Sequence, residues 1–169
     1  MSCKKAEDVR FLIAKDQVGQ LVKSNSAEEL EAVFVQDSVV RDSSQVSFGS
    51  SFEKLQVYEK GGKHLLTLST SADSLNTIEN IRVHDPRFKS EKGIGLSSTF
   101  GEIKAAYEIK KIVTLSNNLV VFLKNSQMYF TISRAELPPS LRYLRDTDIE
   151  AVQIPDKAVA KYLMVGWDQ

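Results

Sequence analysis

The side chains in this 169-residue chain best suited to metal binding or nucleophilic chemistry are His64, His84 and the single cysteine, Cys3. A zinc centre needs about four nitrogen, sulfur or oxygen ligands at set spacings, and the sequence holds no such cluster. No Gly-x-Ser-x-Gly elbow offers a serine to either histidine. His64 falls beside Gly61-Gly62, a turn at which an exposed polar side chain is the default. The sequence therefore predicts no catalytic residue, no metal and no cofactor, and the chain is read as not an enzyme.

Two short stretches invite an anion. Gly93-Ile94-Gly95 precedes a helix start, where backbone amides and the helix dipole favour negative charge. It lacks the Walker lysine arrangement, and Ser98 stands where a dinucleotide fingerprint has its third glycine, so a tight turn is the expected role. In the loop from His84 to Lys92, Arg87 and Lys89 with Lys92 form a small basic spot that suits a small anionic ligand. Against that reading, Asp85-Pro86 makes the turn, Phe88 plugs the core between two halves, and the cations are solvated. Lysine plus arginine and aspartate plus glutamate each total 22, so no net field favours a nucleic acid or an anionic membrane.

The elements that would position these groups repeat along the chain. Leu55–Ser69 aligns without a gap on Leu119–Ser133: Leu55, Val57, Lys60, Thr67 and Ser69 recur as Leu119, Val121, Lys124, Thr131 and Ser133. Each stretch reads as two strands joined by a two-residue turn, Gly61-Gly62 or Asn125-Ser126. Upstream, Ser26-Ala-Glu-Glu29 and Thr99-Phe-Gly-Glu102 both fit a capping box, predicting helices over 26–36 and 99–107. Leu30, Val33 and Phe34 match Ile103, Ala106 and Tyr107 as a core stripe. Downstream, Ile78–Val83 resembles Ile149–Ile154, and both read as a half-buried strand.

The expected fold is α+β: a tandem duplication of a helix plus antiparallel strands, about eight strands with the helices on one face. Residues 1–10 form a flexible leader, and 11–169 one domain of two repeats, 11–83 and 84–156, with a terminal segment that adds a strand or covers an edge. In the leader, Cys3 follows Ser2 in a polar stretch and serves neither a disulfide framework nor a metal site. This start resembles the mature N-terminus of a bacterial lipoprotein, whose cysteine is acylated. The resemblance implies Cys3 as the lipid attachment site, the only contact with a membrane, and an outer-membrane anchor facing the periplasm because Lys4 follows it.

Strand alternation divides the hairpin residues between two faces. Leu55, Val57, Leu66, Leu68, Leu119, Val121, Leu123, Met128, Phe130 and Ile132 belong to a face packed under the helices. The opposite face carries Tyr58 beside Leu65 and Phe122 beside Tyr129, with Val120 close by. Unless the terminal segment covers them, Tyr58, Leu65, Phe122 and Tyr129 form an aromatic patch suited to binding a protein. The function expected is a cell-envelope lipoprotein or secreted module that binds another macromolecule through this open face. The alternative is a binder of a small anion at Arg87 and Lys89, and an enzyme comes behind both.

The stretch from Ile81 to Tyr107, with its Gly93-Ile94-Gly95 loop and capping Thr99, resembles a signature of uncharacterised bacterial envelope lipoproteins. Gln20, in the matching Val18–Leu21 stretch of the first half, stands where that family has proline. The duplicated helix-and-sheet plan is similar to β-lactamase inhibitory protein and to small outer-membrane lipoproteins of the β-barrel assembly machinery. The plan spans most of 11–167, whereas the sharp motif covers 81–107. The resemblance implies a fold and a non-enzymatic binding role; no inhibitory residue is matched, so it carries over no partner.

Overall fold

The computed structural model describes residues 9–42, 53–71, 73–74 and 76–167. Both capping boxes form. Ser26 N donates to Glu29 Oε2 at 2.7 Å, and a 3-10 turn at Ala27–Glu29 runs into a single helical turn, α1 (Leu30–Val33). Thr99 N donates to Glu102 Oε2 at 2.8 Å while Thr99 Oγ1 accepts from Glu102 N, starting α2 (Phe100–Ala106). The first helix is much shorter than 26–36 because Phe34, at φ −100° and ψ 45°, already leaves helical geometry. A further turn, α3 (Pro139–Arg142), follows a proline pair.

The strands divide into two sheets. The short β1 (Leu12–Ala14), β2 (Gln17–Val18), β3 (Leu21–Val22) and β8 (Lys89–Ser90) form a four-stranded sheet in the order β3-β2-β1-β8. Its β1–β8 pair is parallel. The large sheet comprises β4 (Asp37–Asp42), β5 (Lys54–Glu59), β6 (His64–Thr70), β7 (Ile78–Val83), β9 (Ile109–Thr114), β10 (Asn118–Leu123), β11 (Met128–Ser133) and β12 (Ala160–Gly166). Its order is β4-β5-β6-β7-β12-β11-β10-β9, antiparallel throughout. Among the described residues the fold is therefore α+β but mostly β, with eight strands in the main sheet and three short helices.

The face expected to be buried is buried: Leu55, Val57, Leu66, Leu68, Leu119, Val121, Phe130 and Ile132 are wholly inaccessible, and Leu123 and Met128 nearly so. They join one core with Leu30 and Phe34 of the first helical segment, Phe100 and Ile103 of α2, and Ile13, Val18 and Leu21 of the small sheet. Each such side chain contributes about 1.5–3 kcal/mol of transfer free energy, so the alternation that builds this face also drives the fold. Phe88 is in this core too, edge-on to Phe11 at 5.1 Å between ring centroids.

Two expectations about strands are corrected. Ile149–Ile154 is not a strand: Glu150 N donates to Gln153 Oε1 at 2.8 Å, and this cap starts a 3-10 turn at Ala151–Gln153. Its apolar ends, Ile149 and Ile154, are still buried. The terminal segment adds a strand, the first of its two expected roles, and the second is the one corrected: β12 lies beside β7 at the middle of the sheet and covers no edge. It neither covers nor borders the open face; it is part of it.

Candidate binding face

Residues paired across neighbouring strands share a face. The register Val40–Gln56–Thr67–Arg82–Met164–Tyr129–Phe122–Lys111 therefore runs as one row across the face opposite the core, spanning all eight strands. Beside it lies a second row holding Tyr58, His64 and His84 on one side and Tyr162, Thr131 and Val120 on the other. Tyr58, Tyr162, Tyr129 and Phe122 are each half-buried, with part of the ring surface exposed.

Phe122 and Tyr129 are stacked, with centroids 5.1 Å apart, as their direct pairing requires. Lys111 Nζ sits 4.9 Å from the Phe122 ring, and Asn80 Nδ2 donates to the Tyr129 hydroxyl. Leu65 does not belong here, contrary to expectation. It is only 2% exposed. Gly61 and Gly62 adopt φ of 109° and 95°, and Glu59 N bonds to Lys63 O, so the loop holds three residues where two were expected. The register slips between Val57 and Tyr58, pairing Tyr58 with His64, and the bulge turns both Leu65 and Leu66 inward. The second hairpin keeps the expected register to its end, with Asn125 at φ 54°.

In place of Leu65 the face presents stacked rings: Tyr58 over His64 at 4.7 Å and His64 over His84 at 3.8 Å. The Thr67 hydroxyl gives its one proton to Gln56 Oε1 at 2.5 Å, so His84 Nε2, 2.8 Å from Thr67 Oγ1, must be the donor of that bond. His64 Nε2 lies 3.2 Å from the Leu66 carbonyl. Burial lowers the pKa of His84 to about 4, aided by His64 and Arg82. Burial also lowers that of His64, with a smaller push from Arg82 and an opposing pull from the Leu66 carbonyl. These are neutral, parallel rings wedged between strands, with no carboxylate or thiol against them in the hydrogen bonds above. Among the described residues no group of three or more His, Cys, Asp or Glu could hold a metal ion.

The basic spot is differently employed. Arg87 grips Glu59 at 2.9 and 3.2 Å and Asp85 at 2.8 Å, and lies 4.3 Å above the Phe11 ring. Lys63 adds a second cation to Asp85 at 3.0 Å, and Arg10 joins Glu59 to Asp37. Burial alone would raise the Asp85 pKa, but hydrogen bonds from the Arg87 side chain and amide and from Lys63 outweigh it and hold the carboxyl at about 2. The Arg87 bond likewise lowers Glu59, and both carboxylates raise Arg87 above its ordinary value. Arg87 is thus a structural clasp between β5 and the loop after β7, whereas Lys89 is exposed on β8 and does not converge on it.

The Gly93–Gly95 loop also satisfies itself: Gly93 N bonds to Ser90 O, Ile94 N to Ser90 Oγ and Gly95 N to Ser98 Oγ. A Cβ on Gly95 would lie 2.5 Å from the Phe88 carbonyl, so glycine is there for close backbone approach. Cys3 lies outside the described residues. Arg82 and Tyr162 were not picked out from the sequence. Alternation along Ile81-Arg82-Val83 places Arg82 on the open face, but Tyr162 meets it only because β12 pairs with β7, which no local pattern reveals.

No family model matches the chain, and no curated protein matches it. Its fold is similar to that in the crystal structure of the uncharacterized protein yfeY from Escherichia coli, at 12% identity and a TM-score of 0.54 over 91% of this chain and 98% of that one. At that identity the likeness is one of fold.

Proposed function

We propose that this protein is a non-enzymatic module of the bacterial cell envelope that binds a protein partner through the open face of its large sheet. The observation that carries the reading is the pair of half-exposed aromatic groups, Tyr58 with His64 and His84, and Phe122 with Tyr129, on one continuous face. Broad rigid rings with polar edges supply central interface anchors at low entropic cost. The self-contained pairing of Arg87 takes away the cation on which the small-anion alternative depended.

The reading includes a duplicated origin and a lipid anchor. Duplication is supported by two capping boxes and by a sheet order in which β4 to β7 run inward from one edge as β9 to β12 do from the other. The anchor is an acylated Cys3, and it rests on the likeness of the leader to mature lipoproteins.

The binding role is tested by the double variant Phe122→Ala/Tyr129→Ala, immobilised beside the unaltered chain in envelope extract. Proteins retained by the unaltered chain and identified by mass spectrometry should be lost from the variant. Its thermal midpoint should fall much less than that of Phe130→Ala, a core change expected to cost roughly 3–5 kcal/mol. Equal retention by both chains refutes the binding face, and a collapse in midpoint as large as that of Phe130→Ala makes the pair part of the core.

A further inference from the structure

Arg82 brings a guanidinium to the middle of the open face, where Lys161 Nζ also lies 5.2 Å from the Tyr162 ring centroid. Arg82 lies on β7, paired with Thr67 of β6 and Met164 of β12, so four strands of the sheet lie to one side of the β7–β12 junction and four to the other. Its guanidinium carbon lies 3.9 Å from the Tyr162 ring centroid, a stacked cation–π contact. On the same face nearby lie His84, Asn80 of β7, Thr67 of β6 and Met164 of β12.

Arg82 differs in this from the other described arginines. Arg10, Arg41, Arg87, Arg134 and Arg142 each donate to a carboxylate or a carbonyl oxygen. Arg145 makes no such bond but is fully exposed, where water serves it. Arg82 is half-buried, and no hydrogen bond or ion pair to its guanidinium is formed among the described residues. A guanidinium has five donors in a planar fork, and no side-chain nitrogen of Arg82 is both buried and unpaired, so its N–H edge meets water that a partner's acceptor can displace. Stacking on Tyr162 satisfies a face of the ion and leaves the N–H edge unpaired.

From this we infer that Arg82, held over the Tyr162 ring, is the receptor for a carboxylate of the protein partner, an aspartate or glutamate side chain or a chain terminus flanked by apolar residues. The inference rests on the open face being the binding face. A planar fork takes a carboxylate in two parallel bonds, and covering the site with a partner strengthens them by excluding water. A polyanion such as RNA fits less well, because it needs several cations along a track. Here the cations, Arg82 and Lys161 at the Tyr162 ring and Lys111 at the Phe122 ring, are separated along the row by Met164 and Tyr129 and form no continuous track, which suits an acidic group set among apolar ones. The fixed stacking on Tyr162 also means that little side-chain freedom is lost when the carboxylate arrives.

The test is a selection of random displayed peptides on the full chain, followed by titration of the selected peptides as synthetic probes. The expected peptides carry Asp or Glu next to aromatic or aliphatic residues. Arg82→Gln should weaken them by roughly tenfold or more, Arg82→Lys should restore only part, and neither should change the melting temperature appreciably. Peptides that lose binding with Phe122→Ala/Tyr129→Ala yet carry no acid and ignore Arg82→Gln overturn the inference and leave the binding face standing. Peptides indifferent to both variants, or no selected peptide at all, overturn both. Tighter binding of an oligothymidylate than of the peptides, lost with Arg82→Gln, overturns the assignment of the arginine to a protein carboxylate.

Discussion

His84 sets the acid response of this protein at the scale of single residues. Its folded pKa of about 4 lies below the ordinary 6.5, because burial penalises the imidazolium. Between those values the unfolded chain takes up a proton that the folded chain refuses, so stability is highest above pH 6.5 and falls as the pH drops toward 4. His64, lowered for the same reason, acts in the same direction. Asp85 follows in a more acidic window: its contribution is intact above 3.8 and is lost as the pH falls through about 2, when the clasp with Arg87 and Lys63 loses its carboxylate. Urea unfolding of His84→Gln should accordingly show a flatter loss of stability between pH 6.5 and 4, with the steeper fall at lower pH retained. Equal slopes for both chains in that window would mean that the imidazole is as well hydrated in the fold as in the unfolded chain. Asp85 and Arg87 show how local spacing misleads at this scale. Asp85, Arg87 and Lys89 are adjacent in sequence, but Glu59, 28 residues away, decides that Arg87 is a clasp.

At the scale of elements, the hairpins and the last strand divide what is local from what is not. The second hairpin follows its sequence pattern from Asn118↔Ser133 to Phe122↔Tyr129 without a register shift. The first hairpin has the same apolar spacing, yet two adjacent positive-φ glycines widen its loop, and the bulge changes which residue faces out. The final strand is a stronger case. Deleting β12 and Trp167, so that the chain ends at Val159, removes the ladder partner of both β7 and β11 and takes Leu163, Val165 and Trp167 from the core. Such a chain should show no cooperative thermal transition by circular dichroism. A segment that only covered an edge, one of the two roles read from the sequence, would lower the midpoint and leave the transition sharp.

For the whole molecule, the described part is one sheet with helices and a small sheet on one side and aromatic rings on the other, and no described helix is long and apolar enough to cross a membrane. A lipid on Cys3 would tether such a body to a bilayer. Produced behind a lipoprotein signal sequence, the protein should sediment with membranes, and Cys3→Ser should release it. Membrane association that survives the substitution refutes the anchor. A single acyl chain binds only marginally, so the expected attachment is by more than one.

The sequence alone determined the α+β class, both capping boxes and the ten hairpin residues of the buried face, from Leu55 to Ile132, though not Leu65. Each of these depends on interactions within a few residues: a cap reaches three positions, and alternation with period two repeats along a single strand. Only the tertiary structure decided that β12 is central, that Leu65 turns inward and that Arg82 lies on Tyr162. Those features depend on which distant strands pair and in what register. A one-residue slip reverses every side chain of a strand, and the energy that forbids it comes from the assembled core, not from the local residues.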